Sequence, residues 1–195
     1  INDVLLARDD CKSAIIDLND TNFSLLPATP ELTESEVKLI SSEQKEYMLR
    51  NVLNTIDQDY DYIIIDCPPS LNILTVNALC ASSGVIIPVQ CEFFALQGLS
   101  ELMTTIDTIK TNSNKGLSIK GIIRTMYDPR NNLATDVSMQ LLKFFDSQVY
   151  RTIIPRNITL AEAPSHGMPV INYDKNSKGA LSYLSLVGEI IKQER

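Results

Sequence analysis

Short, continuously apolar runs alternate along the chain with longer stretches in which apolar residues recur every three or four positions. The short runs are Asp61–Asp66 (DYIIID), Gly84–Gln90 (GVIIPVQ), Leu117–Met126 (LSIKGIIRTM) and Val149–Pro155 (VYRTIIP). Where no polar residue alternates with the apolar ones, a strand buried on both faces of a parallel sheet is expected. Pro88 leaves one position of its strand without a ladder donor. The longer stretches predict helices over about 43–57, from an N-cap at Ser70 through Ala81, over Leu99–Lys110, over about 133–146, and over Gly179–Gln193. A less regular helical segment precedes residue 43.

The first 30 residues are less patterned. They suggest a helical turn or two around Asn2–Arg8, a strand over Ser13–Asp17, and a strand within Asn22–Thr29 that Pro27 and Pro30 end. Leu160–Ala163 reads as a short helical turn and Pro169–Ile171 as a short edge strand. Strands alternating with helices of about ten residues or more predict an α/β fold, with right-handed crossovers and a mostly parallel sheet covered by helices on both faces. With 195 residues, 44% of them hydrophobic, one core and a single domain over 1–195 are expected.

The strand over 61–66 ends on a carboxylate. Open α/β sheets bind their ligands in the crevice beyond the carboxyl ends of the strands, which makes Asp66 a candidate site residue. The competing reading is structural: Asp66 begins a turn before Pro68 and Pro69.

Composition narrows the chemistry. Cys11, Cys67, Cys80 and Cys91 form no C-x-x-C pair and His166 is the only histidine, so no zinc site of familiar spacing is present and the thiols are expected to be reduced and buried. His166, between Ser165 and Gly167, reads as a loop residue rather than a base. No apolar run approaches the ~20 residues that cross a bilayer, and the first residues have no secretory pattern, so a soluble cytoplasmic protein is expected. The net charge of −7 is unevenly placed: residues 1–114 hold 6 Lys and Arg against 17 Asp and Glu, and residues 115–195 hold 11 against 7. Such asymmetry fits a face for an anionic partner in the final third.

Several motifs in order carry a resemblance. DYIIIDCPPSLNILTVNAL, VIIPVQCEFFALQGL, IRTMYDPR, TIIPRNITLAEAPSHGMPV and YDKNSKGA, with LLPATPEL at Leu25–Leu32, resemble the carboxyl-terminal three-quarters of a ParA/Soj-type partition ATPase, of the deviant Walker A P-loop family that also includes MinD. The resemblance implies a Rossmann-like three-layer P-loop NTPase. It also implies ATP and magnesium as cofactors, a nucleotide-dependent homodimer, DNA binding without sequence preference, and hydrolysis of ATP to ADP and phosphate stimulated by a ParB-type centromere-binding partner. Asp66 is then the Walker B carboxylate, acting through the water shell of magnesium, an ion that keeps several waters beside one or two carboxylates. Thr125, Met126, Asp128, Pro155, Arg156 and Asn157 match segments around the adenine. Arg151, Arg156, Lys175 and Lys178 are candidate phosphate contacts for DNA, and the protein is expected to be nucleoid-associated.

One departure is large. The family begins with a strand and a K-G-G-x-G-K-[ST] loop, and none of the seven glycines here lies in such an arrangement. The amino-terminal strands and P-loop are therefore expected to be missing, the 195 residues alone are expected to bind nucleotide poorly and not to hydrolyse it, and the strand beside Asp66 is expected to leave unpaired backbone and uncovered apolar surface. Two alternatives stay open: a non-catalytic ParA-like interaction module, and a MinD-like positioning ATPase. The second needs a carboxyl-terminal amphipathic segment for membranes. The ending IIKQER does not supply it, so no membrane partner is expected.

Overall fold

The computed structural model describes residues 1–18, 23–68 and 70–194, and these form two compact units: residues 1–83 with 106–117, and residues 84–105 with 118–194.

The first unit is mostly helical. Helices α1 (Asn2–Leu5) and α2 (Cys11–Ala14), the two-residue strands β1 (Ile16–Asp17) and β2 (Ser24–Leu25), and helices α3 (Leu32–Ile40), α4 (Met48–Leu53) and α5 (Ile73–Ala81) follow in order. The β1 and β2 strands pair antiparallel. Val4, Cys11 and Ile56 bury together, as do Leu5, Leu49 and Ala78. Polar side chains hold the remaining joints. Asn77, 1% exposed, accepts from the Leu49 amide at 3.1 Å and donates to the carbonyls of Lys45 at 2.7 Å and Ile73 at 2.9 Å. Asn114 donates to the carbonyls of Leu79, Cys80 and Ser82, answering acceptors that the end of α5 leaves without intrahelical partners.

The second unit holds the sheet. Strand β3 (Gly84–Gln90), helix α6 (Ala95–Asn112, whose last turns belong to the first unit), β4 (Ser118–Tyr127), α7 (Asn132–Phe145), β5 (Val149–Pro155), α8 (Ile158–Glu162), α9 (Val170–Tyr173) and α10 (Lys178–Gln193) follow in order. The three strands are parallel in the order β3-β4-β5, as their continuous apolarity predicts. Helix α10 lays Leu186 and Ile190 on Ile123, Tyr150 and Ile154. Tyr150 covers Gly121, where a methyl group would stand 2.3 Å from the ring. Glu189 of α10 closes the outer side of β5 by accepting from the amides of Arg151 at 2.7 Å and Thr152 at 3.0 Å, which protects an otherwise open sheet edge.

Several expectations need correction. The run 61–66 is extended but belongs to no strand among the described residues: Tyr62, Ile63 and Ile64 are exposed, Ile64 at 91%. A strand exists only where a neighbour completes its ladder, and no described segment lies beside this run as one. The uncovered apolar surface expected beside Asp66 is thus observed. Asn72, rather than Ser70, caps α5 by accepting from the amides of Leu74 and Thr75; the Ser70 carbonyl instead takes the Thr75 hydroxyl. The Ser13–Asp17 segment is divided between the end of α2 and β1, because Asp10 caps a helical turn through Ala14. The expected strand within Asn22–Thr29 shrinks to Ser24–Leu25; Asn22 lies outside the described residues. The helix over 43–57 contracts to α4 and a 3₁₀ turn at Asp57–Asp59. Pro169–Ile171 is no edge strand: Pro169 precedes the helical turn α9, a position where its fixed φ and missing donor suit a helix start. Cys67 is exposed while the other three thiols are buried, and all four are free.

Candidate functional site

The carboxyl ends of β4 and β5 lie side by side, with Tyr127 and Pro155 as register partners. Just beyond them the Arg156 amide donates to the Tyr127 carbonyl at 3.0 Å. This places the loop after β4, which carries Asp128, against the loop after β5, which carries Arg156 and Asn157. Thr125 and Met126 complete the same rim as the last residues of β4 before Tyr127. All six predicted adenine-side residues therefore share one sheet edge, in the crevice position where parallel α/β sheets bind ligands.

Each loop is fixed locally. Arg130 grips Asp128 with two donors, Nε to Oδ1 at 2.9 Å and Nη2 to Oδ2 at 2.7 Å, and its backbone N–H adds a third at 3.0 Å. These bonds, led by the side-chain contact, pull the Asp128 carboxyl down to about 2, and Arg156 adds a smaller attraction. Asn131 caps α7 through the Leu133 amide. Asn157 caps α8 through the Leu160 amide, so its side chain is committed to positioning the helix. Met126 has φ +48°, where side chains are strained, and it sits where the β4–β5 register shifts between Arg124 and Tyr127.

Behind this rim Arg124 is 5% exposed. Its guanidinium donates to Ser138 Oγ of α7 at 3.0 Å and to the β5 carbonyls of Tyr150 at 2.9 Å and Arg151 at 3.2 Å; burial pushes its pKa down. Arg124 and Arg130 carry no expectation from the sequence, whereas Tyr127 lies inside the Thr125–Asp128 segment that does. The Asp-x-Arg spacing of 128 and 130 was the available signal for one of them; a guanidinium joining two strands to a helix leaves no local signature.

Asp66 belongs to the first unit, at the carboxyl end of the extended run. It is exposed. Among the described residues no group of three His, Cys, Asp or Glu could hold a metal ion, so Asp66 offers a single carboxylate. Magnesium requires near-octahedral oxygen coordination, and these residues do not make that site by themselves.

The four candidate DNA contacts are all exposed, and two of them, Arg151 and Arg156, lie toward opposite ends of β5. Arg156 follows the carboxyl end of β5, and Lys175 and Lys178 flank the start of α10, where Gly179 abuts Leu160 of α8. Arg151 sits near the other end of β5, about 17 Å from Arg156 at ~3.3 Å per residue, with its amide on Glu189. His166 closes a 3₁₀ turn and stacks on Tyr173, with centroids 4.9 Å apart.

Known proteins match this arrangement. A family model described as an AAA domain matches residues 1–119. An uncharacterized protein of Pseudomonas putida is 53% identical over 195 residues, covering all of this chain and 74% of that protein. The sporulation initiation inhibitor protein Soj of Bacillus subtilis is 45% identical over 190 residues, covering 97% of this chain and 75% of that protein. Among solved structures, cobyrinic acid a,c-diamide synthase from Mycobacterium smegmatis with bound ADP and magnesium superposes with TM-score 0.82 at 31% identity, covering 98% of this chain and 70% of that one. A plasmid partition protein from Borrelia burgdorferi superposes with TM-score 0.70 at 26% identity, covering 96% and 72%. MinD from Pyrococcus furiosus shares the fold at TM-score 0.75. The three-stranded parallel sheet flanked by helices and these relatives agree: the chain belongs to the ParA/Soj family of chromosome-partitioning ATPases.

Proposed function

We propose that this chain forms the greater part of a partition ATPase that dimerises around ATP, binds DNA without sequence preference, and hydrolyses ATP when a ParB-type partner stimulates it, so as to segregate a chromosome or plasmid in the cytoplasm at the nucleoid. The observation that carries the reading is the joined rim of β4 and β5, where Thr125, Met126, Asp128, Pro155, Arg156 and Asn157 share one edge around the Arg156–Tyr127 hydrogen bond. An adenine needs a shaped, partly apolar edge with fixed backbone polar groups, and Met126 and Pro155 beside two pinned loops supply one. Asp66 would contribute its carboxylate to the water shell of magnesium once phosphates and waters complete the coordination.

On this reading the phosphate half of the site is a K-G-G-x-G-K-[ST] loop, which these 195 residues do not contain. Backbone amides of such a loop cradle the phosphates, and neither the adenine-side rim nor Asp66 replaces them. The 195 residues alone are inactive on this reading. Titration with Mg-ATP of this chain and of a product extended upstream through that loop tests it. Micromolar binding by the longer product only is expected; micromolar binding by the 195-residue chain overturns the division of the site.

Nonspecific DNA binding rests on Arg151, Arg156, Lys175 and Lys178, doubled in a dimer. Reversing the charge at Arg151 and Lys178 together in the complete protein is expected to abolish DNA retention and flatten its salt dependence. Unchanged retention removes these residues from the contact surface. A non-catalytic module that modulates an intact ATPase is the second reading; it predicts that no upstream extension restores hydrolysis.

A further inference from the structure

Strands β4 and β5 do not run side by side in simple register. Ile122 pairs with Val149, Arg124 with Ile153 and Tyr127 with Pro155. Between the first two pairs β5 carries two more residues than β4, and between the last two pairs β4 carries one more than β5. The extra residue of β4 falls within 125–126, where Met126 holds φ +48°. Had the register of Ile122 continued, Tyr127 would face Ile154, and a slip of one residue turns every side chain to the other face of the sheet. The position of the rim after β4 and β5 therefore depends on these irregularities.

Extra residues in a strand leave backbone groups that the ladder does not satisfy. In β5 these residues are 150–152, and two charged side chains take up their backbone groups. Arg124 Nη2 donates to the carbonyls of Tyr150 at 2.9 Å and Arg151 at 3.2 Å. The Glu189 carboxylate accepts from the amides of Arg151 at 2.7 Å and Thr152 at 3.0 Å. Arg124 is 5% exposed, and its Nε has no hydrogen-bond partner among the described residues. A buried charge with an orphaned donor is costly, and an apolar side chain of similar volume often packs in its place without loss. Such a side chain could not donate to the two carbonyls.

We propose that Arg124 and Glu189 are positioning residues for the nucleotide base: by holding the extra residues of β5 they set the register that brings the Arg156 amide onto the Tyr127 carbonyl, and so fix the edge that the base meets. This rests on the reading of that rim as the adenine side of the site.

The variants are Arg124→Leu, which fills the volume without donors, Arg124→Lys, which keeps the charge but not the planar fork, and Glu189→Gln, whose single side-chain oxygen replaces the two that hold the amides. Hydrogen exchange at the Arg156 amide is followed by NMR in the 195-residue chain. Binding of Mg-ATP and of magnesium tripolyphosphate, which has no base, is titrated in the product extended upstream through the phosphate loop. The parent product is expected to bind ATP more tightly than tripolyphosphate. Arg124→Leu and Glu189→Gln are expected to exchange faster at Arg156 and to lose roughly tenfold in ATP affinity, the size of one or two hydrogen bonds to the base, with tripolyphosphate affinity unchanged. Arg124→Lys is expected to fall between them and the parent, and with Glu189→Gln it decides the matter if Arg124→Leu does not fold. Variants that keep the preference for ATP overturn the positioning role, as does an equal loss for ATP and tripolyphosphate, which a merely structural role produces. A parent product that binds the two ligands equally overturns the adenine reading of the rim itself.

Discussion

The Arg156 amide donates to the Tyr127 carbonyl at 3.0 Å, continuing the β4–β5 pairing one step beyond the last register pair, Tyr127 with Pro155. Two loops that the sequence separates by about 30 positions thereby become one rim. Arg156→Pro removes the donor while keeping the chain extended, and the loss of one backbone hydrogen bond is expected to cost about 1 kcal/mol. Denaturant unfolding reads the loss, and amide exchange should rise in 127–131. Unchanged exchange there would show that the two loops hold their places independently.

The Asp128 carboxyl, pulled to about 2 chiefly by its side-chain bonds with Arg130, makes the rim acid-sensitive in a defined direction. A carboxyl with an ordinary value of about 3.9 when unfolded and a lower one when folded adds stability that is complete above that ordinary value. The contribution is lost as the pH falls toward 2. Carbon-detected NMR titration of Asp128 should show the low midpoint, and Arg130→Ala should return it toward the ordinary carboxylate range. A midpoint unmoved by that substitution would remove Arg130 as the cause.

Met126 holds φ +48° at the rim, a conformation that costs an ordinary residue about 1–3 kcal/mol. Met126→Gly relieves the strain and is expected to keep or raise stability, since the side chain is 46% exposed and little packing is lost. Met126→Val, β-branched, is expected to lower it by about 1 kcal/mol or more. Thermal unfolding of the pair decides, and equal effects from Gly and Val would mean that the backbone relaxes there without strain.

In the first unit, Asn77 joins the start of α4 to α5 through three hydrogen bonds at near-complete burial. Asn77→Leu leaves the Leu49 amide and the Lys45 carbonyl without their partner, and is expected to destabilise by about 2–4 kcal/mol. Asn77→Asp keeps the acceptor for Leu49 but loses both donated bonds and brings a buried charge, so its loss of stability should grow as the pH rises through the carboxyl's midpoint. A loss for Asn77→Leu below about 0.5 kcal/mol would show that water replaces the side chain.

The strands that survive intact are the ones whose neighbours are in the chain. Gly84–Gln90 and Val149–Pro155 keep their expected bounds because β4 lies between them, and the helices over 133–146 and 179–193 shift by a residue because their apolar stripes meet the sheet. The site was half legible. TMYD and PRN stood out as segments at strand ends and the Asp-x-Arg spacing of 128 and 130 was there to be read, but Arg124 as the tie between strands was not legible, since a hydrogen bond across strands depends on register and not on local spacing. The short elements were hardest to read. Asn72 displaced Ser70 as a cap because its carboxamide takes the Leu74 and Thr75 amides, and Pro169 began a helical turn rather than an edge strand.

The sequence by itself determined the alternation of apolar runs with amphipathic stretches, the parallel character of the strands, and the ordered motifs of the family, all of which depend on residues close together along the chain. Only the tertiary structure decided that DYIIID stays extended without a ladder, that the loops after β4 and β5 close into one rim, and that the Arg151 amide is held by Glu189 of α10. The physical reason is the same in each case. A backbone donor or a charge acquires its role from the group it faces across space, and apolarity alone makes a run able to be a strand without providing the neighbour that makes it one.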